Sequence, residues 1–247
     1  MTVATTAALL GLDFGYHWDE DKILNSVQRS YKTGHFLPGW YQYPSLCYVL
    51  GLIAKPVSAI WQTAPNDVEA VRFTLRCILV VLSMCTAFWT FGIVRIWRRN
   101  SVEALVAAAI VCLSFELNYH SRWIAPDALM MQFGVGSIYM LTRAAESTTK
   151  TLQWLLLAAV MAGLSCSSKY PGGLFLLSIA VGIFLTPNND AKPPQKFCWL
   201  IGTIGVFTIT FIAITPAVLI DTPAFIDDIQ SEIAHYRRGH GTYGVDP

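Results

Sequence analysis

The sequence predicts an all-α fold, a polytopic bundle of transmembrane helices, and three observations carry that reading. Of the 247 residues 54% are hydrophobic and 13% charged, about half the charged fraction of a typical soluble domain. Mean hydropathy is +0.46. The apolar residues gather into long runs instead of alternating, which argues for helices in or on a bilayer and against a half-buried sheet. Charge is nearly balanced, 17 Lys and Arg against 16 Asp and Glu for a net +1, so the chain lacks the electrostatic footprint of a nucleic-acid binder. No internal repeat divides it. The six cysteines form neither a Cys-x-x-Cys pair nor a zinc spacing and read as packing residues, with no disulfide expected.

The apolar runs fall at residues 1–12, 44–62, 77–94, 102–118, 124–142, 152–167, 171–186 and 198–220. A crossing needs roughly 17 to 25 residues, so the first run is expected to be the outer end of a first span. It lacks the basic start of a signal peptide. Residues 44–62 are long enough to cross but carry Lys55-Pro56 near their middle. If they cross, Arg95, Arg98, Arg99, Arg143, Lys150, Lys192 and Lys196 fall outside; if they lie in the interface, all of these face the cytoplasm. The bias of basic loops toward the cytoplasm favours the second arrangement. One membrane domain is therefore expected, with a partial span at 1–12, an outer loop of juxtamembrane amphipathic helices at 13–72, the bundle at 73–220, and an outer amphipathic helix within 221–247.

That topology gathers the unusual polar residues on one side, where charge beside a bilayer is costly unless paired or hydrated. Four segments stand out. In Tyr16-His17-Trp18-Asp19-Glu20-Asp21 the acids open a helix whose Ile23, Leu24, Val27 and Tyr31 share a face before Gly34 stops it. Asp19 reads either as an N-cap or as a group facing the aqueous side, and the alternation of His17, Asp19 and Asp21 leaves open a divalent metal ion. In His120-Ser121-Arg122-Trp123-Ile124-Ala125-Pro126-Asp127, Asp127 is expected to cap the next helix while Arg122 either snorkels or clamps a phosphate. Lys169, in Ser167-Ser168-Lys169-Tyr170-Pro171, is an interfacial anchor or, being against the charge bias, a partner for a lipid phosphate. In the last segment Thr222 as N-cap and Pro223 start a surface helix with Ile226, Ile229, Ile233 and Tyr236 at helical spacing, ending at Gly239. Its Asp228, Glu232 and His235 follow a metal-compatible spacing that an ordinary solvated face also produces.

The order of these segments resembles the GT-C membrane glycosyltransferases, specifically family 39, the dolichyl- or polyprenyl-phosphate-mannose protein mannosyltransferase-like group and its bacterial relatives. The matching residues are Asp19-Glu20, Tyr43-Pro44-Ser45-Leu46 with Gly34 and Pro38 ahead of it, Arg122 to Asp127, Ser168-Lys169-Tyr170, and Asp221, Phe225, Glu232, His235, Gly239-His240. The resemblance implies a GT-C-like helical bundle and an inverting transfer of a monosaccharide from a polyprenyl-phosphate donor to an acceptor hydroxyl on a protein, lipid or glycan. It implies Asp19 as general base, with Glu20 beside it in the catalytic pair. Arg122 and Lys169 would stabilise the departing phosphate, Glu20 and Asp127 would hold those cations or the sugar, and Tyr43, His235 and His240 would bind substrate. No cofactor is expected with certainty, and a divalent metal ion stays open. The implied location is a bacterial plasma membrane with the site on the periplasmic side. Two departures stand beside this: Tyr43-Pro44-Ser45 replaces the Lys-Pro-Pro of relatives that transfer aminoarabinose, and family members continue past the point where this chain stops, which suggests a truncated chain. The alternatives are a non-catalytic membrane subunit and an ion-coupled transporter, the latter weakened because transporters place charges near the midplane of repeated halves.

Overall fold

In the computed structural model, residues 9–12, 14, 17, 20–60, 67–185 and 191–238 are described, Tyr236 and Arg238 by their backbone only. Helix α1, Glu20–Thr33, has its acids in the first turn and buries Ile23, Leu24 and Val27, the apolar face that the spacing predicts. Tyr31 departs from it: 45% exposed, it leans over to donate its hydroxyl to the Leu52 carbonyl. Gly34 ends the helix at φ +73°, a conformation that favours glycine.

Helix α2, Leu46–Val57, runs on through a 3-10 turn, Ser58–Ile60. At 1.5 Å per residue the α-helical part is about 18 Å long, short of the roughly 30 Å hydrocarbon core. Asp67 starts α3, Val68–Arg98, by accepting from the amides of Glu69 and Ala70 at 3.0 and 3.2 Å. Asn100 does the same for α4, Ser101–Cys112. Then follow α5, Phe115–Ser121; α6, Pro126–Glu146; α7, Thr151–Ser168; a 3-10 turn, Tyr170–Leu174, leading into α8, Phe175–Leu185; α9, Pro193–Ile214; α10, Ala217–Ile220; and α11, Thr222–Arg238. The described residues contain no strand.

Helices α3, α7 and α9 are each long and apolar enough to cross a membrane, and α4 with α5 qualifies as a pair bent by 53°. The protein is thus an all-helical membrane bundle. Close approach at its centre depends on small residues: Ala158, Ala159 and Ala162 of α7 are fully buried, and a Cβ on Gly134 of α6 would stand 2.1 Å from the Phe175 ring. Such interfaces let helix backbones approach where lipid supplies no hydrophobic drive between helices. Ser137 of α6 donates to the Ala158 carbonyl across the same contact. On the outside, Phe197, Ile201, Ile204 and Ile209 of α9 are exposed, an apolar face matched to lipid chains. A separate core of Ile23, Leu24, Leu46, Cys47, Val71, Leu75, Ile124 and Leu129 joins α1, α2, α3 and the start of α6, and it forms the floor beneath the polar end of the bundle.

Two expected caps are corrected. Thr222 is the first residue of α11, and its hydroxyl donates back to the Val218 carbonyl at 2.8 Å. The reason is α10, whose last carbonyls lie one turn behind and compete for the hydroxyl. Asp127 is the second residue of α6, after Pro126 in the N1 place, where proline's missing N–H is no loss. Its carboxylate is drawn away to Lys169, the residue just after α7. Gly239 and most of residues 1–12 lie outside the described residues.

Candidate functional site

The site is built at the end of the bundle where α1, α3, α6, α11 and the 122–125 and 168–170 turns meet. Its foundation is Glu20. The side chain is fully buried, and its Oε1 accepts from Arg76 Nε at 2.8 Å and from the Ile124 amide at 2.9 Å, while Oε2 accepts from Arg76 Nη2 at 2.6 Å. Arg72, one turn before Arg76 on α3, stands 3.5 Å from the same Oε2 and 3.3 Å from both Asp21 and Glu69. Arg76 also donates through Nη1 to the Leu12 carbonyl and lies 4.0 Å over the Phe14 ring. A buried carboxylate keeps its charge only when paired and hydrogen-bonded throughout, and Glu20 is. It ties α1, α3 and the 122–125 turn together, and no oxygen of it is open to a substrate. Glu20 thus holds cations, one of the parts the resemblance implies for it, but the cations are Arg76 and Arg72 of α3 and not Arg122 or Lys169.

Lys169 and Asp127 meet at the surface. The Lys169 ammonium donates to Asp127 Oδ1 at 2.7 Å, with the side chains 22% and 35% exposed. Lys169 follows the last residue of α7 and Asp127 lies in the first turn of α6, where a negative charge suits the helix dipole. The pair leaves an ammonium partly facing water at the rim.

Arg122 takes a different place. Its Nη2 donates to the carbonyls of Leu10 and Gly11 at 2.7 and 3.1 Å. With Phe14, His17, Phe115, Asn118, Tyr119 and Trp123 it lines a cavity of about 360 Å³. His17 stacks on Trp123 at 4.0 Å, and Tyr119 meets Trp123 edge-on. Two groups of these lining residues, Arg122 Nε and Trp123 Nε1, are buried N–H donors without an acceptor among the described residues. Buried donors are almost always satisfied, so these mark a place where an acceptor is wanted. Neither Lys169 nor Asp127 lines this cavity.

A third assembly holds α11. Tyr41 is fully buried. Its amide donates to Asp228 Oδ2 at 2.6 Å, its hydroxyl to Asp221 Oδ2 at 3.0 Å, and its carbonyl accepts from the Tyr170 hydroxyl at 2.6 Å. Burial first, then the Asp221 hydrogen bond, pushes the Tyr41 phenol from about 10 up to about 12. The chain reaches this point through Gly39, at φ +69°, where a Cβ would come 2.6 Å from Arg29. Arg29 and Ser26 both donate to the Pro38 carbonyl just before it.

Of the residues singled out in the sequence, the structure pairs Lys169 with Asp127, separates Arg122 from both, and buries Glu20. Tyr43 lines a different, water-sized cavity of about 10 Å³ with Trp40 and Pro126. His235 is exposed on α11. Asp19 and His240 lie outside the described residues. No three His, Cys, Asp or Glu side chains converge for a metal among the described residues, and Asp228 of the Asp228, Glu232, His235 series is bonded to Tyr41 instead. Arg72, Arg76 and Tyr41 are absent from the residues singled out in the sequence, and Tyr170 enters there only as the neighbour of Lys169. Glu69, Arg72 and Arg76 sit at i, i+3 and i+7, a charged stripe at the start of an apolar helix that could have flagged them. Tyr41 and Tyr170 carry no such signal.

A family model described as dolichyl-phosphate-mannose-protein mannosyltransferase matches residues 68–216. That segment holds Arg72, Arg76, Arg122, Asp127 and Lys169, while Glu20, Tyr41 and α11 lie beyond it. No curated protein matches the chain.

Proposed function

The chain belongs to the dolichyl-phosphate-mannose-protein mannosyltransferase family, and from that premise we propose that it is a multi-pass inverting glycosyltransferase using a polyprenyl-phosphate monosaccharide. The acceptor is a hydroxyl on a protein, lipid or glycan, and the site faces the periplasm across a bacterial plasma membrane. The observation that carries the proposal is the pair of buried donors, Arg122 Nε and Trp123 Nε1, without an acceptor among the described residues, in two side chains that line an aromatic-walled cavity. A phosphate oxygen is the kind of acceptor such donors take, and Phe115, Tyr119 and Trp123 offer apolar surface to the first units of the lipid chain.

In the proposed reaction the acceptor oxygen bonds to the anomeric carbon from the face opposite the phosphate. Its proton passes to the carboxylate of Asp19, the residue before anchored Glu20. The bond from the anomeric carbon to the phosphate oxygen breaks with its electron pair on that oxygen, so the phosphate leaves with one more negative charge. Arg122 offsets charge that grows only as the bond breaks, which is where electrostatic stabilisation lowers a barrier; Lys169, set apart from that cavity, is the second cation proposed to meet the donor phosphate. Glu20, through Arg76 and the Ile124 amide, positions the acidic segment and the Arg122 turn against each other.

The test is sugar release from a panel of labelled polyprenyl-phosphate monosaccharides in membranes containing the chain, paired with Asp19→Asn membranes. Turnover that vanishes in the variant at equal protein abundance supports the reading. Turnover retained in Asp19→Asn removes Asp19 as the base, and absence of turnover with every sugar in the panel removes the proposed donor class.

A further inference from the structure

The opposite end of the bundle carries a second, differently built cavity. Arg95, Arg99, Arg143 and Lys150 line a space of about 570 Å³ in which Glu146 is the only acid among the described residues. That volume falls within the ligand-pocket range of roughly 300 to 1,000 Å³. None of the four cations pairs with a carboxylate among the described residues, whereas neighbouring Arg98, outside the cavity, is neutralised by Glu103 at 2.7 Å.

Basic residues near helix C-termini complement the dipole, and Arg95 and Arg143 stand in the last turns of α3 and α6. Three features go beyond that. The Arg143 guanidinium lies 4.8 Å over the Trp154 ring, which holds its planar fork toward the cavity and reduces the rotamer entropy lost on binding. Arg99 sits at φ +53° after α3, a left-handed position that brings its side chain to the same space. Helix α7 begins beside it with Lys150 at the N-cap and no side-chain bond to its first amides, unlike α3 and α4 with their Asp67 and Asn100 caps. Cations, uncapped amides of an 18-residue helix and the hydroxyls of Thr148 and Thr149 all favour an anion with several oxygens.

Position selects the kind of anion. Arg76 and Arg95 are separated along α3 by about 28 Å at 1.5 Å per residue, close to the roughly 30 Å of a hydrocarbon core. With the Glu20–Arg76 pair at one membrane boundary, this cavity lies at the head-group level of the other leaflet. We propose that it binds the phosphate-bearing head group of an anionic lipid, at a site separate from the transferase cavity.

The experiment follows thermal unfolding of the purified full chain in neutral detergent during titration with phosphatidylglycerol, phosphatidylcholine or inorganic phosphate, since a ligand of the folded state raises the midpoint. Phosphatidylglycerol is expected to raise it saturably and phosphatidylcholine not. In Arg95→Gln/Arg143→Gln the half-saturating concentration should rise by about tenfold or more, the loss expected for two charge-assisted contacts, while Arg98→Gln matches the parent chain. Inorganic phosphate giving the same saturable shift and the same variant dependence would support the anion site but assign it to a soluble phosphate. If the double variant does not fold, the exposed single changes Arg99→Gln and Lys150→Gln take its place, each with weaker binding expected. An effect of phosphatidylglycerol that is equal in the parent and cavity variants, or equally weakened by Arg98→Gln, overturns the proposal.

Discussion

Glu20 and Arg76 form a buried two-pronged pair, with Nε to Oε1 at 2.8 Å and Nη2 to Oε2 at 2.6 Å, that joins the first residue of α1 to the second turn-pair of α3. It is the keystone of the polar end of the bundle, because the same carboxylate also accepts from the Ile124 amide that follows Arg122 and Trp123.

Arg76→Met leaves Glu20 buried and short of its charge partner, so stability is expected to fall by about 3–5 kcal/mol. Glu20→Gln combined with Arg76→Met removes both charges and should recover part of that loss. Thermal unfolding in detergent checks both. A single variant as stable as the parent would mean that the pair does not hold the segment.

Lys169→Met should raise the half-saturating concentration of the polyprenyl-phosphate sugar by about tenfold, the size of one charge-assisted contact. Its effect on stability should stay within about 1 kcal/mol, because the ion pair with Asp127 is partly exposed and such pairs contribute little. Donor titrations and unfolding on the same preparation separate the two. Unchanged donor saturation with lowered stability would make Lys169 a structural anchor only.

Tyr41→Phe removes the hydroxyl that bonds Asp221 while sparing the amide contact to Asp228, at an expected loss of about 1 kcal/mol. Faster limited proteolysis within α11 is the readout. The sign of the pH dependence follows from the raised phenol: its value is pushed from about 10 to about 12 in the folded chain, so the hydroxyl's contribution is fully present below pH 10 and lost as pH rises toward 12. The difference in unfolding midpoint between Tyr41→Phe and the parent should therefore shrink across that interval.

The sidedness proposed for the site is tested at the far end of α3 and on α11. In a cysteine-free background, His235→Cys is expected to react with an impermeant thiol reagent added to intact cells, and Trp97→Cys, at a 68% exposed position, is expected to react only after the membrane is opened. The reverse pattern would place the transferase cavity on the cytoplasmic side.

Several features of the site were legible in the chain because they are local. The acids and Gly34 bound α1, Pro126 starts α6, and Lys169 and Asp127 each stand out as charges in short turns between apolar runs. The caps expected of Asp127 and Thr222 differ in the structure because each side chain is drawn to a group outside its own first turn: Asp127 to Lys169, one of the cations the resemblance implies it holds, and Thr222 to the Val218 carbonyl of the short helix just before it. The donors of Arg122 and Trp123 that find no acceptor among the described residues have no sequence signature, since lacking a partner is a property of what surrounds a group.

The sequence by itself determined that the protein is a helical membrane bundle, roughly where its apolar helices lie, and which family it resembles, because run length, apolar spacing and segment order are all carried along the chain itself. The tertiary structure decided the partners. Glu20 meets Arg76 across 56 positions, Lys169 meets Asp127 across 42, and Tyr41 meets Asp221 across 180. Such pairings follow from how helices pack, and packing is set by the small residues of α6 and α7 and the shared apolar floor, which fix distances that no local pattern encodes.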